Sequence, residues 1–256
     1  MDSYQALAPY YDRFTDDVPY DQWADFVERL FTLDGQRPEI VLDLACGTGA
    51  MTRRLAQKGY DLIGVDASEE MLMQARERAA GLNPPPLFLQ QEMEELDLYG
   101  TVGACVCCLD SVNYLTELDQ LQRAFDRVAL FLEPGGRFVF DVNTAAKWRR
   151  LDGESYVRQD EEAYCVYQLG FERESGRCFY QLDLFLRRPD GAWRRMSEEH
   201  EQRVYSRSCL TQCLRRAGLE DVRVFPELSL SPARGGEGRL FFSARKPAAA
   251  MKGARA

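Results

Sequence analysis

A glycine-rich loop and two acidic residues have the types and spacing to bind a nucleoside that also carries an amino-acid group. Residues 43–49 read DLACGTG and directly follow an apolar run. Glycines at 47 and 49 let a ligand approach the backbone, and N–H groups at the start of a following helix attract an anion. Thr52 stands where a dinucleotide-binding loop has its third glycine. Because Asp43 would repel a pyrophosphate and attract an ammonium group, the loop favours a zwitterionic ligand.

Asp66 is the second acidic position and lies 19 residues after Gly47, at the end of the apolar run 61–66. An acid at the end of a second strand can accept hydrogen bonds from both hydroxyls of a ribose. The alternative is an aspartate that caps the helix after the strand. Taken together, the glycine loop and Asp66 predict a site for both ends of the same ligand.

These residues require strands that end at one edge of a sheet. Apolar runs at 39–44, 61–66, 87–90, 102–109 and 137–142 alternate with stretches of helical periodicity. Strands separated by single helices pair in parallel through right-handed crossovers. The aromatic and apolar residues of 20–33 recur at helical spacing and predict an amphipathic helix before the first strand.

The pattern changes between residues 154 and 205. Three strand-like runs at 164–171, 178–186 and 199–205 are separated by ESG and PDG turns, which predicts an antiparallel meander. We therefore expect a helical lid over 1–34, a main domain over 35–145 and 206–246, an antiparallel insert that recognises the substrate over 146–205, and a flexible tail over 247–256.

Three motifs resemble those of class I S-adenosylmethionine (SAM) dependent methyltransferases. Residues 41–49 resemble motif I of that family, 62–72 resemble its next motif with the ribose acid, and 133–138 resemble the entry to its fifth strand. Ala45 stands where the family usually has glycine. The resemblance implies an α/β, Rossmann-like fold with a seven-stranded, mostly parallel sheet, helices on both faces, an N-terminal helical lid and an antiparallel β insert.

The same resemblance implies that SAM is the cofactor and S-adenosyl-L-homocysteine its product, and it transfers a binding site to matching positions. Glu92 and Met93 take the place of the adenine contacts, unless Glu92 is an exposed loop acid. Tyr11 and Trp23 take the place of a closing lid, with packing on the sheet as the alternative for Trp23. The full expected set is Tyr11, Trp23, Asp43, Ala45, Cys46, Gly47, Gly49, Asp66, Ala67, Met71, Glu92, Met93, Leu109 and Asp110.

His200 is the only histidine and lies in the predicted insert. It is our candidate general base for a hydroxyl or amine nucleophile, and the alternative is a structural strand histidine. We expect methyl transfer to N or O of a small molecule. The alternatives are a tRNA or protein methyltransferase, a non-catalytic SAM-binding module, and a nucleotide-dependent oxidoreductase, which the missing third glycine disfavours.

Composition limits the partners. The net charge of −9 disfavours nucleic acid, because phosphate backbones attract positive surfaces. No apolar run approaches the roughly 20 residues that cross a bilayer, so we expect no membrane partner. The N-terminus lacks the features of a signal peptide, which predicts a cytoplasmic protein, either a monomer or a homodimer. The eight cysteines are expected to be buried thiols, without a metal site or disulfides.

Overall fold

The structure is a computed structural model and describes residues 8–248. The helices are α1 (Tyr11–Phe14), α2 (Tyr20–Phe31), α3 (Ala50–Gln57), α4 (Glu69–Arg78), α5 (Leu118–Phe131), α6 (Ala145–Leu151) and α7 (Arg207–Arg216). The strands are β1 (Ile40–Leu44), β2 (Asp61–Asp66), β3 (Leu87–Gln90), β4 (Val102–Cys107), β5 (Leu132–Asn143), β6 (Ser155–Gln159), β7 (Ala163–Glu172), β8 (Arg177–Arg187), β9 (Trp193–Arg203), β10 (Glu220–Pro226) and β11 (Arg239–Arg245).

Seven strands form the main sheet in the order β3-β2-β1-β4-β5-β11-β10. The first five strands of the chain pair in parallel, whereas β11 runs antiparallel to both β5 and β10. This arrangement confirms the predicted α/β, mostly parallel, seven-stranded fold. The strand order reverses between β1 and β4, and ligands of open α/β sheets bind beyond the carboxyl ends of the strands at that point.

Helices cover both faces of this sheet because successive strand residues point to opposite sides. Val41 of β1 packs in the cluster formed with α2 and α3, and its neighbour Leu42 packs in the cluster formed with α5 and α7. On the first face, Phe26 of α2 meets Phe241 edge to face. On the second face, Phe125 of α5 packs on the rings of β5. The side chains on both faces of the sheet are therefore buried against helices.

Strands β6 to β9 form a separate antiparallel sheet between α6 and α7. One of its faces packs on residues 8–19, which we call the N-terminal segment. There the buried ring of Phe14 meets Cys165, Leu182 and Leu184. The sequence predicts three strands here and misses both β6 and α6. The reason is that β6 is mainly exposed and α6 buries only Trp148, so neither carries an apolar period. The part of the predicted lid before residue 8 and the part of the predicted tail after residue 248 lie outside the described residues.

None of the helices within residues 8–248 is long and apolar enough to cross a membrane. The buried side chains instead pack on the two sheets. The eight cysteines carry free thiols, and those in β4 are buried.

Gly64 of β2 sits beneath the ring of Phe88, its partner on β3. A Cβ at this position would lie 2.7 Å from the Phe88 ring and 3.0 Å from Cys46 Sγ. We expect Gly64→Ala to lower the free energy of unfolding by about 1–3 kcal/mol, because the ring must move in a close-packed layer. Urea unfolding followed by circular dichroism measures this change.

The control is Gly170→Ala in β7, another strand glycine, where an added Cβ has no neighbour within 4 Å. Its stability should stay within about 0.5 kcal/mol of the unmodified protein. Equal losses in the two variants would contradict the packing account of Gly64.

Candidate functional site

A cavity of about 360 Å³ opens at the carboxyl ends of β1, β2 and β4. We call it the first cavity. Its lining includes these predicted residues: Tyr11, Asp43, Ala45, Cys46, Gly47, Asp66, Ala67, Met71, Glu92, Met93 and Leu109. It also includes these, which the sequence analysis does not single out: Tyr20, Thr48, Ala50, Met51, Ser68, Gln91, Cys108, Ser111 and Tyr114. Residues from the loops after β1, β2, β3 and β4 therefore meet two tyrosines of the N-terminal helices at the point where the strand order reverses.

The glycine loop is folded against the end of β2 by Asp66. The Gly47 N–H donates to Asp66 Oδ2 at 2.7 Å, and the Ser68 N–H donates to Oδ1 at 2.9 Å. Gly47 and Ala45 both take left-handed conformations, with φ of 54° and 57°. Burial raises the pKa of Asp66, and the N–H donors oppose that rise. Asp66 therefore shapes the loop as well as facing the cavity.

Asp43 is a second buried carboxyl group in the wall of the first cavity. It is 1% exposed, and the Thr52 hydroxyl donates to its Oδ2 at 2.5 Å. Burial raises the pKa of Asp43 to about 7, and the nearby Asp66 carboxylate adds to the rise. Thr52, where a dinucleotide loop has glycine, is thus the residue that holds Asp43. A wall with two acids favours a ligand that brings positive charge.

Two predicted residues support the first cavity without lining it. Trp23 is 1% exposed, packs edge to face on Phe241, and donates from Nε1 to Glu227 at 3.0 Å. The structure thus places Trp23 on the sheet, which is the alternative that the sequence leaves open. Gly49 precedes α3 with φ of 74°, and a Cβ there would lie 3.1 Å from Ala75 Cβ.

The N-terminal segment lies over the glycine loop and is held there by Asp12. The Thr48 hydroxyl donates to Asp12 Oδ1 at 2.5 Å, and Arg78 pairs with Oδ2 at 2.9 Å. Tyr11, the neighbour of Asp12, lines the first cavity. Burial raises the pKa of the Tyr11 phenol well above its ordinary value, so that the hydroxyl stays protonated.

A second cavity of about 220 Å³ lies between the N-terminal segment, α6 and the insert sheet. It shares Tyr11 and Leu109 with the first cavity. Its aromatic lining comprises Tyr11, Phe14, Trp148, Tyr156, Tyr167 and Tyr180. The predicted residue Asp110 lines this cavity rather than the first one. The two cavities therefore meet at the loop that follows β4.

Asp110 belongs to a network of charged groups at this junction. Its Oδ1 accepts from Arg239 at 2.9 Å, its Oδ2 accepts from Gln202 at 2.8 Å, and its own N–H donates to Asp141 Oδ2 at 3.0 Å. Arg239 also pairs with Asp141. Burial raises the pKa of Asp141 to about 6, and the charge of Arg239 opposes the rise.

His200 is 2% exposed and lines neither cavity. Its Nε2 lies 3.2 Å from Glu198 Oε2, and its Nδ1 lies 3.3 Å from the Tyr114 hydroxyl. The hydroxyls of Tyr114 and Tyr180 are hydrogen-bonded to each other, and the Tyr180 ring stacks on the imidazole at 4.7 Å. Tyr114 faces the first cavity and Tyr180 faces the second. His200 thus contacts two tyrosines, one of which lines the first cavity and the other the second.

Comparisons with known proteins agree with this geometry. The family model described as "Methyltransferase domain" matches residues 41–136. YqeM of Bacillus subtilis (strain 168), which is named as a methyltransferase, is 34% identical over 245 residues, covering 95% of this chain and 97% of that protein. The chain belongs to the class I SAM-dependent methyltransferases.

A solved SAM-dependent methyltransferase from Clostridium acetobutylicum superposes on this methyltransferase with a TM-score of 0.85, at 27% identity. The match covers 96% of this chain and 100% of that one, so the two proteins share the fold over nearly their whole length. The dTDP-3-amino-3,4,6-trideoxy-alpha-D-glucopyranose N,N-dimethyltransferase of Streptomyces venezuelae is 35% identical over 101 residues, covering 40% of this chain and 41% of that protein.

Within the part of this methyltransferase that the structure describes, no group of three or more His, Cys, Asp or Glu side chains is arranged to hold a metal ion. The polar groups that do converge are the carboxylates of the first cavity, the network around Asp110 and the tyrosine pair beside His200. Tyr114 and Tyr180 have no recognisable motif, because they become neighbours only when β8 folds over the loop after β4.

The raised pKa of Asp43 makes the stability of the ligand-free enzyme depend on pH. Its carboxyl pKa rises from 3.8 to about 7 on folding, so the folded chain holds the extra proton between these values. The free energy of unfolding should therefore fall as pH rises across that window. Asp43→Asn removes this titration. The difference in free energy of unfolding between the variant and the unmodified enzyme should therefore shift by about 4 kcal/mol in favour of the variant as pH rises from 4 to 8.

Urea unfolding at a series of pH values measures the difference between the two proteins. Asp61→Asn, at an exposed position at the start of β2, is the matched control. A difference between Asp43→Asn and the unmodified enzyme that is constant across pH would refute the buried ionisation.

Proposed function

We propose that this methyltransferase binds SAM in the first cavity and methylates a nitrogen or oxygen of a small molecule in the second. The observation that carries the proposal is the meeting of the two cavities at Tyr11 and Leu109. A methyl donor on one side and an acceptor on the other would come together at this point. Alignment of the reacting atoms can supply several kcal/mol of the rate acceleration.

The first cavity fits SAM by size and by the chemistry of its ends. Its volume of about 360 Å³ lies in the usual range of ligand pockets. Asp66 has the position to bind the ribose hydroxyls, and Glu92 and Met93 that to bind the adenine. The buried carboxyl group of Asp43 suits the ammonium group of SAM, because the wall contains two acids and the ammonium group brings a positive charge. When bound, SAM supplies an electrophilic methyl group on a sulfonium sulfur.

The second cavity supports a small acceptor rather than a macromolecule. It holds about 220 Å³ and is covered by the N-terminal segment, α6 and the insert. The net charge of −9 disfavours tRNA. The Streptomyces venezuelae relative, whose name states N,N-dimethylation of an amino sugar, also supports a small-molecule acceptor.

The tyrosine pair and His200 form a route for the proton that the acceptor loses. Tyr180 lines the second cavity, and its hydroxyl is hydrogen-bonded to that of Tyr114, which lies 3.3 Å from His200 Nδ1. The Tyr180 oxygen takes the proton of the acceptor while its own proton passes to the Tyr114 oxygen, and the proton of Tyr114 passes to His200 Nδ1. Glu198 stabilises the imidazolium that results. His200 is thus a positioning and relay residue, because it does not touch the cavity itself.

Loss of Asp66 should weaken cofactor binding. Asp66→Ala removes an acceptor for the ribose and releases the Gly47 and Ser68 N–H groups. We expect SAM binding, measured by calorimetry, to weaken by about 1–3 kcal/mol, the range for losing a charged acceptor. Asp61→Ala, at the opposite, exposed end of the same strand, should leave the affinity unchanged. Unchanged affinity in Asp66→Ala would refute the ribose assignment.

Methyl transfer is tested with methyl-labelled SAM and a bacterial cell extract. Unreacted SAM is removed by chromatography, and the low-mass, tRNA and protein fractions are counted separately and compared with a sample without the enzyme. We expect label in the low-mass fraction. Label only in tRNA or protein would favour a macromolecular acceptor. SAM binding without any transfer would favour a non-catalytic module.

With that acceptor, Tyr180→Phe and His200→Gln should lower kcat about 10²–10⁴-fold with KM nearly unchanged. Both variants should also flatten the pH–rate profile, which a purely structural defect would not do. Tyr156→Phe lines the same cavity outside the relay and is the control. A normal pH profile at reduced kcat in both variants would eliminate the proton route.

A further inference from the structure

Lys147 brings a positive charge into the second cavity. It lies on α6, and its Nζ donates to Asn143 Oδ1 at 2.9 Å. That partner is a neutral amide. Within residues 8–248, Lys147 forms no ion pair with a carboxylate. Placing an ammonium group in a partly buried wall without a counter-charge costs free energy.

The other cations of the same cavity are compensated. Arg239 pairs with Asp110 and Asp141, and Arg158 pairs with Asp16 at 3.3 Å and Asp17 at 2.5 Å. Asp17 and Asp110, the acids that line the cavity, are therefore already engaged by arginines. Among the described residues, Lys147 is therefore the cation of this cavity that makes no ion pair, and its ammonium group can pair with an anion of a bound molecule.

Burial and the surrounding charges act on the pKa of Lys147 in opposite directions. Burial is the main cause that lowers the pKa of Lys147, and the charge of Arg239 acts in the same direction. Asp110, Asp141 and Glu227 oppose the shift from a distance. An anion placed on the ammonium would reverse the effect of burial, because opposite charges in a desolvated site favour the charged form.

Next to Lys147 along α6 lies an aromatic wall. Trp148 stacks with Tyr180, with ring centroids 6.3 Å apart and an angle of 22° between the planes. The Trp148 Nε1 is buried and has no hydrogen-bond partner among the described residues. The wall is therefore aromatic and apolar next to a cation.

We propose that the acceptor carries a carboxylate or phosphate group that pairs with Lys147 and an apolar body that packs on the aromatic lining of the second cavity. The methylated atom lies at the other side of the acceptor, where Tyr11 and Leu109 join the two cavities. This inference rests on the proposed function, because it assigns the second cavity to the acceptor. Charge-assisted hydrogen bonds to an ammonium group give the anion its affinity.

The binding test uses benzoate, phenyl phosphate and the neutral benzamide as probes. Calorimetry is done on the enzyme saturated with S-adenosyl-L-homocysteine. We expect at least one of the two anions to bind ten-fold or more tightly than benzamide, and the preferred anion distinguishes carboxylate from phosphate recognition. Lys147→Met should lose this preference, whereas Lys147→Arg should retain it.

Arg149→Met is the matched control, since it removes one positive charge from an exposed position on the same helix. It should keep the preference for anions. Equal affinities of the three probes in the unmodified enzyme, or a preserved preference in Lys147→Met, would overturn the proposal. Thermal unfolding of each variant with bound S-adenosyl-L-homocysteine checks that the fold is intact.

The product test separates this inference from the proposed function. Labelled low-mass product from the cell extract is passed over an anion-exchange resin, and we expect the resin to retain it. The Lys147→Met variant should not form this retained product. Labelled product that flows through uncharged overturns the anionic acceptor and leaves methyl transfer standing. The absence of any labelled product counts against the proposed function, and calorimetry with the probes still decides the role of Lys147.

Discussion

A single guanidinium joins three parts of this molecule. Arg239 on β11 contacts Asp141 on β5 and Asp110 on the loop after β4, and Gln202 of the insert donates to the same Asp110. The cation also lies over the ring of Trp23 on α2, 5.0 Å from its centroid. Removing one partner from a buried ion pair costs about 3–5 kcal/mol. The sheet, the insert and the helix before the first strand therefore depend on the same contact.

The network also explains an unusual piece of backbone. Leu109 and Asp110 both take left-handed conformations, with φ of 60° and 50°. Such conformations cost about 1–3 kcal/mol for residues other than glycine. The three hydrogen bonds of Asp110 offset that cost. The strained turn places Leu109 where the two cavities meet, so backbone strain and the division of the site have the same origin.

Elements with a regular apolar period were predictable from the sequence, because their burial repeats along the chain itself. This holds for α2 and for β1 to β5. The loop around Gly47 was predictable from its glycines and from Asp43, which follow one another within seven residues. The predicted fold class is confirmed, and the structure brings most of the expected cofactor residues into one cavity. The functions of those individual residues remain proposals.

Contacts between distant residues carry no such local signal. Arg239 lies 129 positions from Asp110 and 98 from Asp141, and the residues between them give no indication of the pairing. The position of Trp23 likewise depends on Phe241, which joins the sheet from the far end of the chain. The strand β6 and the helix α6 lack an apolar period, so Lys147 and its cavity were not foreseen either.

The assignment of the two cavities to different parts of the chain bears on how such an enzyme can evolve. The first cavity is built mainly from loops of the parallel sheet, and the second largely from the N-terminal segment, α6 and the insert. Mutations on β7 or β8 can reshape the second cavity while leaving the glycine loop untouched. Tyr11 and Leu109 are the exceptions, because they line both cavities. Under the proposed function, selection for a new acceptor can act on the insert, whereas substitutions at the two shared residues would affect both cavities.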